Sequence, residues 1–125
     1  MITISLTGRI PSKKNSRQTD TRTGRTFPSD SYKAWHRHAM MQLMMQKAPR
    51  KEIVADGILV TLYFGDKRRS DITNKTESVM DLLVDYGVLK DDSWDCTGRM
   101  VLVPVYEKGR WGAEIQISEF EEVAA

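Results

Sequence analysis

Between Ser70 and Ser93 the chain carries carboxylates at Asp71, Glu77, Asp81, Asp85, Asp91 and Asp92. Oxygen donors at this density suit a hard divalent cation such as magnesium. Their spacing is ordered. On a 3.6-residue period, Asn74, Glu77, Ser78, Asp81 and Asp85 share one helical face, and Ile72, Val79, Leu83 and Tyr86 share the opposite one. Thr73 is placed to cap the start of this helix, one turn before Glu77. Gly87 stands where helices commonly end in a left-handed residue. The stretch therefore reads as a loop carboxylate, an amphipathic helix and a second loop with paired acids. A charged helix face is also the ordinary solvated face of an amphipathic helix, so the rest of the chain has to weigh in.

Charge is divided unevenly along the 125 residues. Residues 1–50 hold ten Lys and Arg against two Asp, a net of +8. The remaining nine bases and fifteen acids give residues 51–125 a net of −6. A basic arm joined to an acidic patch fits a protein that grips a polyanion and binds a metal. Cys96 is the single cysteine, which excludes an internal disulfide and a cysteine zinc site. With short apolar runs and no signal-peptide pattern, a membrane span is excluded and the cytoplasm is the expected compartment.

The elements that would position the acids follow in order. Ile2 to Leu6 alternates apolar and polar residues as a first strand. Residues 8–28, with two prolines and six bases from Arg9 to Arg25, read as one long loop suited to phosphate contact. Ser29 or Asp30 caps a helix running to about Lys47, with Tyr32, Trp35, Ala39 and Leu43 inward and Met40, Met41, Met44 and Met45 widening the stripe. His36 and His38, without a carboxylate at ligand spacing, read as surface residues. Ile58 to Phe64 is a buried strand, and Gly65 to Arg69 is a basic turn delivering the chain to Asp71. Arg99 to Tyr106 is a strand, bent or at an edge near Pro104. Residues 108–110 read as a hairpin turn into a partner strand from Trp111 to Ile117, and the tail from Glu119 as frayed. The expectation is one α+β domain over residues 1–125: a small mixed sheet of about four strands covered by two helices, with a basic loop at 8–28 and an acidic site at 70–95.

The residues in this order resemble the RusA family of Holliday junction resolvases, found in bacteria and their phages. The resemblance runs through Pro11-Ser12, Asn15, Arg17, Gly24-Arg25-Thr26 and Ser29. It continues through Arg68-Arg69, Asp71, Asn74, Asp81, Leu83, Gly87 and Asp91-Asp92. It implies a homodimeric, magnesium-dependent endonuclease acting on branched DNA, with manganese able to substitute and no small-molecule cofactor. The family's catalytic carboxylates carry over to Asp71 and Asp92. Two positions depart from its pattern: Thr73 replaces a second aspartate, and Glu77 replaces a functional lysine. Residues 73 and 77 are one turn apart on one helical face, so Glu77 can restore the carboxylate lost at 73. The resemblance implies Asp71 and Asp92 as catalytic residues, and the compensation adds Glu77 to them; Asp91 is a further candidate metal ligand, and Asp81 is a candidate ligand that reads equally well as a group supporting a ligand or as a plain helix-face acid. Lys13, Lys14, Asn15, Arg17, Arg25, Lys67, Arg68, Arg69 and Asn74 would hold the DNA. A catalytically silent branched-DNA-binding protein of the same fold is the alternative that the two departures leave open.

Overall fold

The computed structural model describes residues 1–12 and 17–119. The sheet is built from β1 (Ile2–Thr7), β4 (Ala55–Phe64), β5 (Arg99–Tyr106) and β6 (Gly112–Glu119), in the order β1-β6-β4-β5. β6 runs antiparallel to both β1 and β4, and β5 runs parallel to β4. A separate hairpin pairs β2 (Arg17–Thr19) with β3 (Thr26–Pro28). The helices among the described residues are α1 (Asp30–Met45), α2 (Ile72–Tyr86) and the single turn α3 (Trp94–Thr97). This is the mixed α+β sheet with two covering helices that the sequence predicts.

Alternation places Ile4 and Leu6 of β1, Ile58, Val60 and Leu62 of β4, and Ala113, Ile115 and Ile117 of β6 on one buried face. Ala39 and Leu43 of α1 and Val79, Leu82 and Leu83 of α2 close over that face in one apolar cluster. A parallel pair cannot be joined by a tight turn, so β4 and β5 need a crossover, and α2 lies in it. That connection makes the acidic helix part of the sheet's own cover.

The connection from β5 to β6 differs from the expected hairpin. Residues 107–110 do turn, with Arg110 N–H donating to the Glu107 carbonyl at 2.9 Å. The two strands do not pair, because β4 lies between them. The central position lets β6 set Ile115 beside Val60 and Ile117 beside Ile58 on one flank, and beside Ile4 and Ile2 on the other. Burial of those branched residues on both flanks outweighs the short-range hairpin. β5 is left at the sheet edge, as Pro104 predicts. At the other edge, α1 covers β1 directly. The Gln46 side chain accepts from Ser5 N–H at 2.8 Å and donates to Ser5 C=O at 2.6 Å, and Gln42 treats Thr7 in the same way at 2.8 and 3.2 Å.

The long loop expected at 8–28 contains the β2–β3 hairpin. Asp20 starts its turn, its carboxylate accepting from Arg22 N–H at 2.9 Å, and Gly24 at φ +71° closes it. Strands of three residues are too short to show an alternation. The tail beyond Glu119 lies outside the described residues, and Glu119 itself ends β6.

Candidate functional site

The helix cap is the first element of the site. Asp71, not Thr73, is the N-cap of α2. Its Oδ1 accepts from Thr73 N–H at 2.9 Å, from the Thr73 hydroxyl at 2.7 Å and from Asn74 N–H at 3.4 Å. Its Oδ2 accepts from the Asn74 side-chain amide at 3.1 Å. Asp is among the best capping residues, because its carboxylate satisfies helix N–H groups that have no intrahelical partner. Its negative charge also complements the positive end of the helix. At the other end Gly87, at φ 93°, takes the left-handed conformation expected of it.

Thr73 lies on the wall of a cleft of about 330 Å3, shared with Thr76, Glu77 and Met80 of α2, Asp92, and Met100 and Leu102 of β5. Glu77 and Asp92 thus face one cavity across the α2–β5 crossover, and Asp71 stands one hydrogen bond behind it through Thr73. Asp91 adjoins the cleft, its Oδ1 accepting from Asp92 N–H at 2.8 Å. Placement of the loop depends on Gly98, which has φ +64°, and a Cβ there would overlap the Asp56 carbonyl of β4. Carboxylate oxygens are the donors that hard cations such as magnesium or manganese take, but Asp71, Glu77 and Asp92 do not bring their ligand atoms within 4.8 Å of one another.

Asp81 belongs to a different cluster. The Tyr32 hydroxyl of α1 donates to its Oδ2 at 3.0 Å, and His36 Nε2 meets Asp85 Oδ2 at 2.9 Å. One ligand atom from each of His36, Asp81 and Asp85 lies within 4.8 Å of the others. They line a cleft of about 630 Å3 with Tyr32, Lys33, Arg37 and Met40. Burial, then the hydrogen bond to Asp81 and the charges of Asp81 and Asp85, push the Tyr32 phenol above its usual range, so it stays a protonated donor. The reading of His36 as a surface residue without a carboxylate partner is corrected: the carboxylate arrives from α2, 49 residues along the chain. His38 is exposed, contacting Gln42 at 3.0 Å. Ser78, expected on the polar face, is fully buried and donates to the Pro11 carbonyl at 2.6 Å. Lys75, which the periodicity left unassigned, is also buried.

Among the proposed DNA contacts, Lys67, Arg68 and Arg69 are exposed immediately before Asp71. Lys67 Nζ sits 5.1 Å from the centre of the Tyr106 ring, and Arg68 Nε lies 3.5 Å from Asp66. Arg25 is exposed at the end of the hairpin turn. Arg17 opens β2, while Lys13, Lys14 and Asn15 lie outside the described residues. Asn74 is half-buried and directs its amide at Asp71.

α2 thus lines the cleft with Glu77 and also holds the Ile10 and Pro11 carbonyls that precede the basic hairpin. The family described as Endodeoxyribonuclease RusA matches residues 8–118, and the chain belongs to that family. It is similar to the Crossover junction endodeoxyribonuclease RusA of Aquifex aeolicus (strain VF5), with 28% identity over 116 residues that cover 90% of this chain and 88% of the relative. The match takes in the root of the basic arm, α2 and both aspartates of the second loop. Among the described residues, no helix is long and apolar enough to cross a membrane.

Proposed function

We propose that this protein is a magnesium-dependent endodeoxyribonuclease that cuts branched DNA such as Holliday junctions by phosphodiester hydrolysis. Membership of the endodeoxyribonuclease family supports the reaction, and the observation that carries the site is the shared cleft of Glu77 and Asp92 with Asp71 behind Thr73. Asp71, Glu77 and Asp92 would hold the cation through oxygen, with Asp91 beside them, whereas Asp81 faces the separate cleft of His36 and Asp85. When bound, magnesium or manganese supplies a Lewis acid for the phosphoryl oxygen and lowers the pKa of the attacking water.

The chain's own residues do the remaining work. The Thr73 hydroxyl and the Asn74 amide orient the Asp71 carboxylate, as partners behind a ligand commonly do. Lys67, Arg68 and Arg69 present positive charge to the DNA backbone directly ahead of the site. Lys13, Lys14, Asn15, Arg17 and Arg25 extend that surface along the arm. Such contacts position the duplex without reading its sequence, so selection of a junction rests on shape. A four-way junction has approximate two-fold symmetry, and two symmetric cuts call for a homodimer. The exposed Met41, Met44 and Met45 of α1 offer one apolar surface for it. A DNA substrate of this kind is met in the cytoplasm.

A silent DNA-binding protein is the second reading, favoured by the threonine at 73, whose hydroxyl is directed at Asp71. Incubation of a labelled four-way junction with magnesium separates the two. Paired nicks that disappear with a chelator are expected. Tight binding without any cleavage, in magnesium and in manganese, would leave only the silent reading.

A further inference from the structure

Lys75 is an unexpected residue at its position. It is 8% exposed, inside a helix face that otherwise buries Val79, Leu83 and Tyr86. Burial of an ammonium is costly, and a methionine or leucine would fill such a space without that cost. Burial, followed by the like charge of Arg9, pulls its amine below the ordinary lysine range, and Asp66 only partly opposes this. Among the described residues, Nζ donates to the Ile10 carbonyl at 2.7 Å. The Phe64 and Trp111 rings flank it at 6.0 and 5.9 Å. Less than one turn later Ser78 Oγ donates to the next carbonyl, Pro11, at 2.6 Å.

Two side chains of α2 therefore hold two successive backbone carbonyls of one segment. That segment is the root of the basic arm. Gly8 N–H donates to the Trp111 carbonyl at 3.2 Å, and the Arg9 guanidinium stacks on the Trp111 ring at 4.6 Å. Beyond Ser12 the chain runs into Lys13, Lys14 and the hairpin. The far foot of the arm returns to the same helix, since Ser29 caps α1 and Tyr32, in its first turn, donates to Asp81. Thus α2 bears Asp71 and Glu77 and also fastens both feet of the arm.

We propose that Lys75, assisted by Ser78, is a positioning residue: it clamps Ile10–Pro11 to α2 and so fixes the distance between the arm's phosphate contacts and the cleavage site. The assignment rests on the nuclease reading above, but the clamp can be tested on binding alone. With the arm loose, each phosphate contact has to be ordered at the moment of binding, so the loss falls on affinity and not on the chemical step.

The test uses Lys75→Met, which keeps the length of the side chain and removes the donor. Metal-free binding of a fluorescent four-way junction is followed by anisotropy, and cleavage is followed against DNA concentration. Lys75→Met is expected to raise both Kd and KM by about tenfold, while kcat at saturating DNA stays within about threefold of the parent. A merely structural residue gives the opposite split, with kcat falling in proportion to the folded fraction and KM and Kd unchanged; that result overturns the proposal. Ser78→Ala, which removes the smaller half of the clamp, decides the matter if Lys75→Met fails to fold. It should raise Kd and KM in the same direction by about threefold, and unchanged values overturn the proposal. If the parent cleaves no junction, the nuclease reading fails while the metal-free Kd of each variant still decides the clamp.

Discussion

Asp71 is placed to do two jobs, and two substitutions separate them. Its carboxylate caps α2 by accepting from the N–H groups of Thr73 and Asn74, and it sits behind the cleft that Glu77 and Asp92 line. Asp71→Asn keeps a side-chain oxygen and remains a good cap, so it should cost only a few tenths of a kcal/mol in stability. Asp71→Ala removes the cap outright. Loss of a capping side chain costs about 1 kcal/mol, and loss of the acceptor for the Thr73 hydroxyl and the Asn74 amide brings the total to about 2 kcal/mol. For a domain of this size that corresponds to a fall in Tm of roughly 5–10 °C. Activity should follow the charge instead. Both variants should lose at least about a hundredfold in single-turnover cleavage of a junction in magnesium, equivalent to about 2.7 kcal/mol in the barrier. Thermal unfolding by circular dichroism gives the first quantity and denaturing gels give the second. Asp71→Asn that cleaves like the parent removes Asp71 from the site. Asp71→Asn that unfolds as early as Asp71→Ala shows that the cap is not what holds this end of α2.

Glu77→Gln should cut cleavage by about a hundredfold while metal-free DNA binding stays equal or tightens, because a negative charge near phosphate is gone; cleavage rates and anisotropy check it. Thr73→Asp together with Glu77→Lys should restore activity, whereas Glu77→Lys alone should not. Lys13, Lys14 and Arg17 changed together to Ala should weaken binding to all DNA sequences alike and flatten its salt dependence by roughly two to three units of slope, as read from titrations at several salt concentrations. Gly98→Ala should destabilise the protein by about 2 kcal/mol or more, since both the positive φ and the Asp56 carbonyl oppose a Cβ, and denaturant midpoints measure it.

The strands with a strong pattern were legible in the chain. Ile58 to Phe64 announces β4 by its branched and aromatic content, and Pro104 announces the edge position of β5. The apolar stripe of α2 and the Tyr32, Ala39 and Leu43 line of α1 likewise name buried faces, because a 3.6-residue period is a property of the helix alone, whereas Met41, Met44 and Met45, which widened the α1 stripe, are exposed. What escaped the sequence depends on distant partners. Ser78 lies on the polar arc of α2 but is covered by Pro11, and the carboxylate for His36 comes from another helix. The pairing of β6 with β1 and β4 is settled by which apolar neighbours it can gain on both flanks, not by the turn that precedes it. In the site, the acids and the basic arm were visible as charge, whereas the capping role of Asp71 was hidden by Thr73, a second good capping residue two positions later.

The central claim is that Asp71, Glu77 and Asp92 form the cation site of a nuclease. The most direct measurement is the anomalous diffraction of manganese soaked into crystals of the parent protein. The account predicts a manganese peak in the cleft between α2 and β5, within about 2.0–2.6 Å of oxygens from Glu77 and Asp92, and with Asp71 as a ligand. A peak only between His36, Asp81 and Asp85, or none at saturating manganese, would contradict it.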